Sequence, residues 1–168
     1  MTVRAARAGD VGGIVAVFER SRAAAMPWLP VLHSADEDLR FFADEIDRSQ
    51  AWVSLAEGQV TAFAVLRDGW LHHLYVDPPC QGRGIGGALL DRVVAACPGG
   101  LQLWVFERNV RAQAFYRVHG FEVVERTDGA GNEGREPDLL MSYTPGAPGS
   151  SRRSRLARRT ALGRRSGR

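Results

Sequence analysis

The chain has 168 residues, 45% of them hydrophobic, which is enough for one domain with a real core, and it holds no run of about 18 apolar residues that would predict a membrane span. Its basic character is unevenly spread: all 22 basic residues are arginine, residues 1–145 set 14 of them against 19 carboxylates for a net of −5, and residues 152–168 carry the other eight with no acid. The start, Met-Thr-Val-Arg-Ala-Ala-Arg, lacks the apolar stretch of a secretion signal, and Cys80 and Cys97 are too few for a disulfide framework and sit in no metal-ligand spacing, so a cytoplasmic protein with two inert free thiols is expected.

Residues 2–6 alternate weakly as a first strand, and Asp10 is placed to cap a helix that runs through Ile14, Val17 and Phe18 to about residue 24. The prolines of Met26-Pro-Trp-Leu-Pro-Val-Leu-His end it, and Ser34-Ala-Asp-Glu37 is a capping box that opens a second helix through Phe41, Phe42 and Ile46. Residues 51–56, 60–67 and 70–76 read as three strands joined by turns at Glu57-Gly58 and Asp68-Gly69, an antiparallel meander. A helix over 85–96, a strand over 101–105, a helix over 110–119 and strands over 121–127 and 139–144 complete the body.

Between the third strand of the meander and the next helix lies Val76-Asp-Pro-Pro-Cys-Gln-Gly-Arg-Gly-Ile-Gly-Gly87. Glycines there let the backbone approach a ligand, and the first turn of the helix offers unpaired N–H groups to an anion such as a diphosphate. A P-loop needs Lys and then Ser or Thr, and the chain has no lysine; a dinucleotide fingerprint needs G-x-G-x-x-G, whereas Gly82, Gly84 and Gly86 run in steps of two. Further on, Asn109-x-x-Ala112-x-x-Phe115-Tyr116-x-x-x-Gly120-Phe121 reads as a helix capped by Asn109 and closed by Gly120. Taken alone, Phe115 and Tyr116 also read as core aromatics.

The two motifs, in this order, resemble the coenzyme A loop and the second signature of the GNAT superfamily, the Gcn5-related N-acetyltransferases. The resemblance covers about residues 2–144. It implies a mixed α/β fold with a mostly antiparallel twisted sheet of about seven strands and four helices, in which the fourth and fifth strands splay apart to admit acetyl-CoA. It further implies that the backbones of Leu74, Tyr75 and Val76 bind the pantetheine arm by a form of strand addition. Gln81 and the amides of Gly82, Arg83, Gly84, Ile85, Gly86 and Gly87 would hold the diphosphate, while Asn109 meets the arm or caps its helix and Ala112 lines the coenzyme.

Acetyl transfer from a thioester to a primary amine, by direct attack in a ternary complex, needs a neutral amine, a donor for the oxyanion and a proton for the departing thiolate. The resemblance gives the proton to Tyr116 and the oxyanion to the Val76 N–H. Histidine titrates in the range of a base, and strand alternation sets His72 on the face of Leu74 and Val76, opposite His73. The resemblance favours His72; His73, a water, or two merely solvent-facing histidines are the alternatives. No metal is needed.

The acceptor, an amine of a small molecule or of a peptide or protein N-terminus, is framed by the break at 26–33 and by the acidic loop 128–138, which puts Trp28, His33 and Glu133 forward as contacts, with His73 added from the strand 70–76. Trp28 either lines this pocket or plugs the core. Glu133, Glu136 and Asp138 suit a cationic amine. Residues 1–145 form the expected catalytic domain, monomeric or homodimeric, and 146–168 an expected disordered arginine-rich tail with a nonspecific contact to nucleic acid as its sharper reading. An acyl-CoA sensor of the same fold, without turnover, is the alternative to an enzyme.

Overall fold

The computed structural model describes residues 1–146, so the arginine-rich tail lies almost wholly outside the described residues. Strand β1 (Thr2–Ala5) leads through a 3-10 turn to helices α1 (Val11–Ala25) and α2 (Ala35–Arg48). The meander β2 (Gln50–Ala56), β3 (Gln59–Arg67) and β4 (Trp70–Val76) follows, then α3 (Ile85–Ala96), β5 (Leu101–Phe106), α4 (Val110–Val118), β6 (Glu122–Thr127) and β7 (Asp138–Tyr143). The seven strands form one sheet in the order β1-β2-β3-β4-β5-β7-β6. Every neighbouring pair is antiparallel except β4 with β5. No helix among the described residues is long and apolar enough to cross a membrane.

The expected capping box of α2 forms: the Glu37 amide donates to the Ser34 hydroxyl at 3.3 Å and the Ser34 amide to the Glu37 carboxylate at 2.7 Å. Asp10 does otherwise than expected. Its backbone is already helical (φ −88°, ψ −12°) and its side chain makes no capping bond to α1. The Asp10 carboxylate instead accepts from the Arg7 amide at 2.8 Å and from both terminal nitrogens of Arg4 at 2.7 and 2.9 Å. The reason is that the chain begins to coil one turn earlier, at Ala8–Asp10, and the acid closes that turn.

The two faces of the sheet carry separate cores. On one, α1 and α2 bring Ile14, Val17 and Phe42 against Val53, Phe63 and Val65; on the other, Leu89, Leu90 and Val93 of α3 and Tyr116 of α4 cover Ala62, Ala64, Leu103 and Met141. Phe42 is fully buried, which stabilises the fold by about 2–3 kcal/mol relative to leaving the ring in water. Cores on both faces hold the sheet together where its own ladder is weakest. That place is β4 with β5, joined only at Trp70 and Gln102, with the Gln102 amide donating to the Gly69 carbonyl at 3.0 Å. Beyond that pair the strands part.

Candidate active site

The wedge between β4 and β5 opens at the end where the glycine loop begins. The Asp77 amide donates to the Thr61 carbonyl at 2.9 Å, so the register pair Ala62–Val76 is one whose own amides do not bond each other. Val76, and Leu74 two residues back, therefore turn their N–H and C=O groups away from β3 and into the wedge. The Val76 carbonyl accepts from the Ser21 hydroxyl and from the Gln81 side-chain amide, both at 3.0 Å.

Gln81 lines the wedge as expected, with its side chain also engaged within the protein. Its amide nitrogen serves Val76 and its oxygen accepts from the Arg111 guanidinium at 3.1 Å, so the side chain ties the loop to β4 and α4. The physical cause is the carbonyl at the wedge, which has no strand partner and requires a donor. The rest of the loop is a cradle. Gly82 and Gly84 have φ of 75° and 78°, angles that side chains with a Cβ resist, and nothing lies within 4 Å of where a Cβ would stand at either. Gly84 caps α3, the first helical bond runs from Ala88 to the Gly84 carbonyl at 3.0 Å, and the first turn carries no acid. The amides of Ile85, Gly86 and Gly87 thus stand ahead of the helix ladder at its positive end.

Helix α4 forms the opposite wall. The Asn109 oxygen accepts from the Ala112 amide at 3.2 Å, the expected N-cap. At the other end Phe121 donates to the Tyr116 carbonyl and Gly120 to that of Arg117, both at 3.0 Å, with Gly120 at φ 88°, a Schellman stop. A cavity of about 430 Å³ runs between the loop and α4. It is lined by Leu74, Tyr75, Val76, Gln81, Gly82, Gly84, Ile85, Gly86, Gly87, Asn109, Ala112 and Tyr116, so nearly all the residues expected at the coenzyme meet there. A second cavity of about 140 Å³ adds Leu71, His72, Trp104, Val105, Phe106 and Asp138. The two share Met26, Leu74, Tyr75, Asn109, Ala112 and Tyr116 and are two arms of one groove.

The profile of the Acetyltransferase (GNAT) family matches residues 18–121. The chain belongs to the GNAT family. Acetyl transfer is accordingly its class of reaction, and it is an acyltransferase. The peptidyl-lysine N-acetyltransferase YjaB of Escherichia coli is 30% identical over 131 residues, 76% of this chain and 86% of that protein. The E. coli [ribosomal protein bS18]-alanine N-acetyltransferase is 28% identical over 127 residues, 72% of this chain and 83% of that one. The solution structure of apo YjaB from E. coli superposes with a TM-score of 0.70 at 26% identity, covering 84% of this chain and 96% of the other. A similar fold, at TM-score 0.69 and 19% identity over 86% and 99% of the two chains, is that of the PaiA N-acetyltransferase from Thermoplasma acidophilum in complex with coenzyme A.

Within this GNAT groove Tyr116 is buried, and burial raises its phenol above the ordinary value, with Tyr75 adding to the shift. Burial also pushes Tyr75 up to about 12. The two strand histidines are sorted by a bulge. Val65 pairs with His73 but Leu66 pairs with Leu71, which leaves His72 as the extra residue and turns Leu71 onto the face of Leu74 and Val76. His72 is left exposed at the rim of the smaller arm, and its pKa is lowered, first by desolvation and then by Arg67. His73 lies away from both arms, with its ring 5.1 Å from Phe42 and 5.7 Å from Phe41 on the α1–α2 face; desolvation lowers it to about 3.

The other residues expected at the acceptor form a clasp and line neither arm. Trp28 packs edge-on to Phe106 at 5.6 Å under the Arg108 guanidinium, Leu29 abuts Gly134, and His33 meets Glu133 at 3.0 Å, where that carboxylate raises the imidazole pKa. Their spacing of about a hundred residues hid this pairing from sequence reading. Arg111, Ser21 and His119 line the larger arm and were not anticipated, because a helix-surface arginine or a histidine before a glycine stop carries no local signal. The His119 Nδ1 lies 2.6 Å from the Phe115 carbonyl, and its Nε2 stands 3.4 Å from where a Cβ on Gly87 would be. Arg83 is exposed on the loop, outside the larger arm's lining.

Proposed function

We propose that the chain is an acetyl-CoA-dependent N-acetyltransferase acting on a primary amine of a peptide or protein, with a ternary complex assembled across the two arms. The observation that carries this reading is the shared wall: Tyr116 and Leu74 border both arms, so a thioester in one and an amine in the other would meet beside them. The residues of the larger arm suit coenzyme A. The loop amides and Arg111 offer donors and charge to a diphosphate, and the Leu74 backbone, turned away from β3, suits the amides of pantetheine. Acetyl-CoA would supply the activated acyl carbon. Relatives named for peptidyl-lysine and for a ribosomal-protein alanine support a peptide or protein amine as acceptor.

The chain's own groups would then do three things. The lowered pKa keeps His72 neutral at pH 7, ready to take the proton that an alkylammonium must lose before its nitrogen attacks. The Val76 N–H, turned into the wedge, would donate to the carbonyl oxygen as charge gathers there, a type of contact worth about 3 kcal/mol. As the carbon–nitrogen bond forms and the carbon–sulfur bond breaks, Tyr116 would donate a hydrogen bond and finally its proton to sulfur, while the nitrogen sheds its second proton to solvent and solvent returns one to the phenolate. A phenol raised by burial releases that proton only as charge accumulates on the sulfur.

The test is thiol release from acetyl-CoA by the purified protein, with lysine-containing and free-N-terminal peptides as acceptors. Acetylated peptide formed in step with free thiol is the expected result. Tight coenzyme A binding without turnover on any peptide, and indifference to Tyr116→Phe, would sink the reading in favour of a sensor.

A further inference from the structure

Two carboxylates are buried among the described residues, and they are treated differently. Glu45 is 6% exposed and has the Arg67 guanidinium at 2.8 Å. Asp138 is 9% exposed and has no cationic partner among the described residues. Its oxygens accept from the Thr127 hydroxyl and from the Asn132 amide at 2.9 Å, both neutral donors. The arginines on the adjoining strand ends are engaged elsewhere, Arg108 with Glu136 at 3.2 Å and Arg126 with Glu107. A carboxylate withdrawn from water costs several kcal/mol unless a cation answers it, and two neutral hydrogen bonds offset only part of that.

Asp138 is also a wall of the smaller arm. Its register partner on β5 is Phe106, and Trp104 stands two residues earlier on the same face of that strand. Both residues line the same cavity, and Trp104 is 45% exposed. A carboxylate beside two aromatic rings is suited to an organic cation, which gains Coulomb attraction from one and the quadrupole of the others. The aromatic surface next door already works this way, with the Arg108 guanidinium 4.5 Å from the Trp28 ring centre.

We propose that Asp138 is a specificity residue for the acceptor: it draws a protonated alkylamine into the smaller arm, between Trp104 and Phe106, and holds it there until one proton is removed. This rests on the reading that the smaller arm receives the acceptor. The missing counter-ion of Asp138 is then the substrate itself. His72 lines the same arm from β4 and takes the proton of the bound ammonium, after which the neutral nitrogen is free to move toward the junction at Leu74 and Tyr116.

The test uses the full chain saturated with coenzyme A in place of acetyl-CoA, so that no transfer occurs. n-Butylammonium chloride and 1-pentanol, close in shape and different in charge, are titrated at neutral pH by calorimetry. The expected result is at least tenfold tighter binding of the ammonium by the wild type. That preference vanishes in Asp138→Asn, while affinity for coenzyme A is equal in the two proteins. A wild type without preference, or an Asn variant that keeps it, overturns the proposal. If the Asn variant fails to bind coenzyme A, a crystal structure of the wild-type ternary complex decides: the amine nitrogen within ion-pair distance of the Asp138 carboxylate supports it, and any other position overturns it. Absence of turnover on every amine would sink the proposed function and leave this binding result standing, so the two failures are distinguishable.

Discussion

The polar groups that mark the larger arm of the groove are mostly backbone, and those that mark the smaller arm are side chains. Amides of the glycine loop, the start of α3 and the unpaired edge of β4 define the first; His72, Trp104, Phe106 and Asp138, from three different strands, define the second. A backbone site tolerates many side chains but demands particular torsion angles, whereas a side-chain site tolerates torsional variation and depends on which residues long-range packing brings together. The first is suited to a ligand that stays the same among GNAT proteins and the second to one that changes.

The wall common to both arms is where that contrast should fail first. Tyr116→Phe is expected to lower kcat roughly a hundredfold, the lower end for a general acid because a thiolate leaves readily, with KM for acetyl-CoA nearly unchanged. A large rise in KM instead would make Tyr116 part of the coenzyme site alone. The neighbouring histidines offer the next largest effect. With its pKa lowered to about 3, His73 binds its proton far more weakly in the folded chain than in the unfolded one, near 6.5. The stability it confers is therefore full above about pH 6.5 and is lost as pH falls toward 3, roughly 2–3 kcal/mol by about pH 4.5. Urea midpoints measured against pH should show that loss in the wild type and a flatter curve in His73→Phe.

Smaller effects separate the arms. Gly84→Ala forces a side chain into a left-handed angle at about 1–2 kcal/mol, so coenzyme A should bind about tenfold more weakly while KM for the acceptor barely moves. His72→Gln should do the reverse. It is expected to lower kcat/KM by several-fold at pH 7 and to flatten the acid limb, which in the wild type falls as pH drops through a value below 6.5. An unchanged pH profile would hand the base role to water.

The same contrast explains what was legible in the sequence. The element order, the capping box at Ser34 and the glycine stop at Gly120 are local patterns, and the folded chain has each where the residues put it. The wedge was legible only through family likeness, since nothing in β4 or β5 by itself states that they pair at a single position. The smaller arm was hardly legible. Trp28, His33 and Glu133, all put forward as acceptor contacts, spend themselves on one another's loops, and the bulge at His72 breaks the alternation from which both histidines were placed. Asp138 was noted only as one acid among three. Its distinction is the lack of a cation, a property of the folded neighbourhood that no local spacing encodes.

With β4 and β5 joined at one residue pair, the sheet is two half-sheets, four strands and three, sharing helical covers more than a ladder. A pantetheine arm held between the β4 edge at Leu74 and the α4 wall at Asn109 and Ala112 would act as a mortar joint between them, so that loading the coenzyme stiffens the whole scaffold. The acceptor would then dock on a molecule more rigid than the empty one, giving an ordered sequence of arrival with the coenzyme first.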